Sequence, residues 1–145
     1  MESHLRKYYF RTSKSTIRHM KKIIYTKDAP HPVGPYSQAV QYGNTLYCSG
    51  QIAIDPSSGD LVTDNLEDET RMVFSNLKAV LAAANMTFEN VVKCSVFLSS
   101  MESFGAVNKI YAEYFYDATA PARETVEVAN LPKYVNVEIS AIAIK

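Results

Sequence analysis

The chain has 145 residues, 47% of them hydrophobic and 21% charged, with a formal net charge of zero; this suits one globular domain able to bury a core without metal or disulfide staples. The charge is uneven, because residues 1–22 carry seven Lys/Arg against Glu2 alone, leaving eight basic and 14 acidic residues, a net of −6, in residues 23–145. An acidic body argues against a nucleic-acid-binding domain, which needs a basic face; two cysteines and three histidines are too few for a zinc-type cluster, and no apolar run approaches the roughly 20 residues that span a bilayer.

Residues 1–20 read as a basic N-terminal extension, rich in Ser and Thr and without the apolar core of a secretory signal. Its composition resembles a mitochondrial presequence, although Tyr8-Tyr9-Phe10 fits that reading poorly and Met20 is itself a candidate start. Residues 21–145 form a single domain. The expected location is the cytoplasm, or the mitochondrial matrix if the extension is a presequence.

Lys22-Ile23-Ile24-Tyr25 is a short strand candidate, followed by a Pro-rich loop over residues 29–35. Residues 37–41 and 45–54 read as a hairpin turning at Gly43-Asn44. Asn65 can cap a helix running to about Ala84, with Glu67, Asp68 and Glu69 in its positive first turn and Leu66, Val73, Leu77, Val80, Leu81 and Ala84 on one stripe. Val91 to Leu98 is nearly continuous in apolar residues and reads as a central strand. A second helix is expected over 102–116, with Phe104, Val107, Ile110, Tyr111, Tyr114 and Phe115 on one side and Asn108 off that stripe.

Residues 121–128 alternate so that Arg123, Thr125 and Glu127 share one strand face and Val126 and Val128 the other. A last strand, 134–144, places Glu138 with Tyr134, Asn136, Ser140 and Ile142. The order is β-β-β-α-β-α-β-β, an α+β chain with two helices on one face of a mixed six-stranded sheet. Arg123 and Glu138 are expected on neighbouring strands of the opposite, open face, which another copy of the chain would close. Cys48 and Cys94, both in apolar strand-like runs, read as buried small hydrophobes rather than a disulfide.

Five fragments, Gly34-Pro35-Tyr36-Ser37-Gln38-Ala39, Ser49-Gly50-Gln51-Ile52, Val107-Asn108 with Tyr111, Pro121-Ala122-Arg123 and Val135-Asn136-Val137-Glu138-Ile139, together resemble the YjgF/YER057c/UK114 family and, within it, the reactive intermediate (RidA-like) deaminases. The resemblance covers about residues 21–145. It implies a chorismate-mutase-like fold, a homotrimer with clefts between subunits, no cofactor, no metal, and a small-molecule substrate rather than nucleic acid or membrane. The activity it implies is hydrolysis of 2-aminoacrylate and its tautomer 2-iminopropanoate, or of 2-iminobutanoate, to the 2-oxo acid and ammonia. Carried over by position, Arg123 holds the substrate carboxylate, Glu138 positions or activates water, and Tyr36, Gly50 and Asn108 line the cleft. Thr125 stands where the best-known members have cysteine, so no thiol nucleophile is available there; its backbone and hydroxyl are expected to face the substrate. The segment before Pro121 is also about two residues shorter than in some relatives. The competing functions are a non-catalytic trimer that senses a small carboxylate and a ribonuclease, the latter with only His31 near the cleft.

Overall fold

The computed structural model describes residues 20–145, and all but the last residue of the expected extension lies outside them. Six strands, β1 (Lys21–Ile24), β2 (Ala39–Tyr42), β3 (Thr45–Gln51), β4 (Val91–Leu98), β5 (Ala122–Glu127) and β6 (Val137–Ile144), form one sheet in the order β1-β2-β3-β6-β4-β5. All neighbours are antiparallel except β4 and β5. That single parallel pair requires a crossover, and it runs through the second helix, α2 (Phe104–Tyr111).

The first helix, α1 (Leu66–Ala83), starts as expected: Asn65 Oδ1 accepts from Asp68 N at 2.8 Å. Asn85 leaves the helix with φ of +55°. Val73, Phe74, Leu77, Val80 and Leu81 are buried against the sheet. The helix also buries polar side chains that tie it to loops, as when Asn76 Nδ2 donates to Ile52 O and Ile54 O at 3.1 and 2.8 Å.

The second helix is shorter than expected. It follows a 3₁₀ turn at Met101–Ser103, and past Tyr111 the amides of Glu113 and Tyr114 bond three residues back instead of four, which tightens the chain out of the α-helix. The apolar stripe survives this change, because Tyr114 and Phe115 still pack on Phe74.

The last strand begins three residues later than expected. Residues 132–134 form a 3₁₀ turn in which Lys133 and Tyr134 have φ of +56° and +54°. Two successive non-glycine residues in the left-handed region need an external hold. Fully buried Glu69 supplies one, accepting from Asn136 N, Asn136 Nδ2 and Val137 N at 2.6, 2.8 and 3.2 Å.

Both helices cover one face and bury a continuous core. The other face carries Ile23, Tyr42, Tyr47, Val126 and Ile144, each 40–54% exposed. Cys48 and Cys94 are buried free thiols on the helix-covered side. Among the described residues, no helix is long and apolar enough to cross a membrane.

Candidate active site

The register corrects the expected placement of the two principal residues. Strand β4 lies between β5 and β6, so Arg123 and Glu138 are not on neighbouring strands. Across β4, Arg123 is level with Cys94 and Ala141, whereas Glu138 is level with Phe97 and Val126. Paired residues share a face and residues three apart do not. Arg123 therefore faces the helices and Glu138 the open side. Chain order suggested adjacency; the parallel crossover put β5 at the far edge instead.

The arginine half is built by β5 and α2. Helical spacing of four and then three places Phe104, Asn108 and Tyr111 on the side of α2 that meets the strand. Arg123 Nη1 donates to Asn108 Oδ1 at 2.8 Å, and its Cζ lies 4.5 Å from the Tyr111 ring centre and 5.7 Å from that of Phe104. Asn108 is thus part of the working face of the helix, and Phe104, expected on the core stripe, is 37% exposed and lies beside Arg123 instead. Among the described residues no carboxylate pairs with Arg123. A pocket of about 380 Å³ opens beside it, with Asp117 also on its wall. Two residues along the same strand face, the Thr125 hydroxyl is buried without a hydrogen-bond partner. At the far end of β5, Glu127 Oε2 accepts from Met101 N at 2.7 Å, which fixes the approach to α2.

The glutamate half lies on the open face, in a cleft of about 450 Å³ whose walls include His31, Tyr36, Gly50, Lys133 and Glu138. Strand β3 carries one extra residue between Cys48 and Gln51 relative to β6, a bulge that contains Ser49 and Gly50. A side chain at Gly50 would collide with the Glu138 carboxylate, leaving Cδ only 2.7 Å from its Cβ. Burial raises the pKa of the Glu138 carboxyl. Tyr36 is half exposed, and its hydroxyl accepts from Val33 N at 3.3 Å. Buried Gln38 holds the loop that leads to Tyr36: it accepts from Thr26 N at 2.7 Å and donates to Thr26 O and Pro30 O, both at 3.0 Å.

The single chain therefore brings Arg123, Asn108 and Thr125 together on one side, and Tyr36, Gly50 and Glu138 on the other. Neither pocket contains both Arg123 and Glu138. Nothing in the local sequence marks Gln38 or Glu69 as a residue that builds the site. An acid in the first turn of a helix is already explained by the helix dipole, so the burial of Glu69 had no separate signal.

A six-stranded mixed sheet backed by two helices, with an unpaired arginine on its edge strand and a part-buried acid on its open face, defines a compact α+β class. The chain belongs to the Endoribonuclease L-PSP family, also known as YjgF or RidA, whose model matches residues 26–145. It is 49% identical to a RutC family protein of Pyrococcus horikoshii over 87% of this chain and 99% of that one. It is 48% identical to a mouse protein named 2-iminobutanoate/2-iminopropanoate deaminase, over 87% of this chain and 93% of the relative. The crystal structure of Escherichia coli TdcF with bound serine superposes with a TM-score of 0.81 at 38% identity, covering 86% and 98% of the two chains.

Proposed function

We propose that the protein is a 2-iminobutanoate/2-iminopropanoate deaminase that converts reactive imines, and the enamines in equilibrium with them, into 2-oxo acids and ammonia. The observation that carries this reading is Arg123, a guanidinium fixed by Asn108 and two aromatic rings with no carboxylate of its own among the described residues. The chemistry needs little more than orientation and a water. With the substrate carboxylate on Arg123, a charge-assisted contact contributes about 1.5–3 kcal/mol. Water adds to the electrophilic imine carbon while Glu138 takes a proton from it. Glu138 returns that proton to the nitrogen, which completes the carbinolamine. The same carboxylate then carries the hydroxyl proton to the nitrogen as the C–N bond breaks, so the carbonyl forms and ammonia leaves. Such acid–base help is typically worth ~10²–10⁴-fold. The mouse relative's name supports the same substrates.

Because the two halves occupy opposite faces of one protomer, the proposal includes a homotrimer in which Arg123, Asn108 and Thr125 work with Tyr36, Gly50 and Glu138 of the partner subunit. The exposed apolar side chains of the open face suit such closure.

The test couples the protein to an amino-acid oxidase or dehydratase that generates the imine in situ and follows 2-oxo acid and ammonia release. Arg123→Ala should abolish the acceleration, and an unchanged rate would overturn the reading. Binding of 2-oxobutyrate without turnover would instead assign a carboxylate sensor. Co-refolding Arg123→Ala with Glu138→Gln should restore about a quarter of wild-type activity if each cleft draws on two subunits of a closed ring, and none if it draws on one. A second reading, RNA cleavage, rests on His31, Lys133 and Glu138 sharing one cleft. It predicts that His31→Ala abolishes ribonuclease activity while leaving imine hydrolysis intact.

A further inference from the structure

We propose that Tyr111 is a positioning residue: its ring, assisted by Phe104, holds the Arg123 guanidinium in the orientation that receives a carboxylate. This rests on the reading of Arg123 as the carboxylate anchor. An arginine on an exposed edge strand, with no acid to pair with, ordinarily spreads over many rotamers. Here three residues on one side of α2 converge on it. Asn108 takes one of its five donors at 2.8 Å, and the Arg123 Cζ lies over the Tyr111 ring at 4.5 Å and over the Phe104 ring at 5.7 Å from the ring centres.

The Tyr111 ring is itself immobilised. It is only 6% exposed, lies 4.8 Å from the Phe115 ring and meets Phe74 edge-on at 5.8 Å. It is therefore a fixed wall of the Arg123 pocket. Its hydroxyl is buried and lacks a conventional hydrogen-bond partner, with the Cys94 thiol as its polar neighbour. The ring, not the hydroxyl, does the positioning. An aliphatic side chain could fill the same volume, but only an aromatic face attracts a cation. The remaining donors of Arg123 stay available to a ligand while the ring contacts and Asn108 restrict its swing.

The experiment compares wild type with Tyr111→Phe, Tyr111→Leu, Phe104→Ala and Arg123→Ala. It measures binding of 2-oxobutyrate and of its uncharged amide by calorimetry, alongside KM and kcat for the in situ imine. Tyr111→Phe, which keeps the ring, should keep the carboxylate-to-amide preference, and losing it would overturn the assignment of the positioning to the ring. Tyr111→Leu should weaken 2-oxobutyrate binding roughly 2- to 30-fold, the range of cation–π contributions, while leaving the amide unaffected and raising KM more than it lowers kcat. Phe104→Ala, a change at a part-exposed residue, should shift the carboxylate-to-amide preference in the same direction by a smaller factor and provides the test if Tyr111→Leu fails to fold. A preserved preference in folded Tyr111→Leu and Phe104→Ala overturns the proposal. If Arg123→Ala also preserves that preference, the anchor reading itself fails, so the two failures are distinct.

Discussion

Replacing Gly50 with alanine exchanges one hydrogen for a methyl group, yet it should disable the proposed chemistry. The Gly50 backbone is outside the left-handed region, so alanine brings no φ penalty there. Restricting the unfolded chain should even return about 0.4–1 kcal/mol of stability. The cost falls on Glu138. With Cδ and Cγ at 2.7 and 2.9 Å from the new Cβ, the whole outer side chain must rotate away, because a shift of the carboxylate tip alone leaves Cγ too close. Moving a general acid–base group out of reach should remove its ~10²–10⁴-fold contribution, equivalent to about 3–5 kcal/mol of barrier. The assay is 2-oxo acid release from the in situ imine, with 2-oxobutyrate affinity and thermal midpoint measured on the same sample. Activity should collapse while carboxylate binding at Arg123 and the midpoint stay near wild type. In a Glu138→Gln background the same change should cost almost nothing further, since both act through one carboxylate. A Gly50→Ala protein with full activity, or additive losses in the double variant, would refute the reasoning.

Glu138→Gln should raise the melting temperature at pH 7. Burial lifts the folded-state pKa of Glu138 above the ordinary glutamate value, so its stabilising contribution is complete below the unfolded value and lost as pH rises through the folded one; the gain from glutamine should shrink in melts near pH 4. Thr125→Val removes a buried hydroxyl that has no partner in the free protein. It should stabilise the fold by about 1 kcal/mol in denaturant titrations yet lower kcat/KM if the substrate is the missing partner; unchanged kinetics would remove Thr125 from the site. Glu69→Ala strands the amides of Asn136 and Val137 and the side chain of Asn136. It should cost about 2–5 kcal/mol by chemical denaturation, and a loss below about 1 kcal/mol would mean the 132–136 bend supports itself.

Local signals served well where one residue explains one contact. Asn65 followed by three acids marked the start of α1, and the hydrogen bond to Asp68 N is the physical content of that signal. The alternation of residues 121–128 correctly grouped Arg123 with Thr125 and Glu127. What chain order does not encode is which strand intervenes. Placing Arg123 beside Glu138 assumed that consecutive strands pair, and β4 sits between them. Apolar spacing defines the helix stripe and so excludes Asn108, whereas the useful face mixes Phe104, Asn108 and Tyr111 around a cation. The bulge at Ser49-Gly50 and the hold of Glu69 on residues 136 and 137 depend on contacts far apart in sequence, which periodicity does not register.

The two thiols have a consequence for where such a protein can operate. Cys48 and Cys94 each pair with Ala141, one on either side of β6. Two strand spacings separate their backbones by roughly 10 Å, beyond the span of a disulfide. Burial pushes their pKa values up to about 12 and about 11, so both remain protonated and poorly nucleophilic. With Thr125 on the strand beside Arg123, the sequence's only two cysteines are both shut inside the core. Thiol-seeking electrophiles therefore meet no exposed thiolate among the described residues, and the proposed hydrolysis would continue in surroundings that silence enzymes dependent on one.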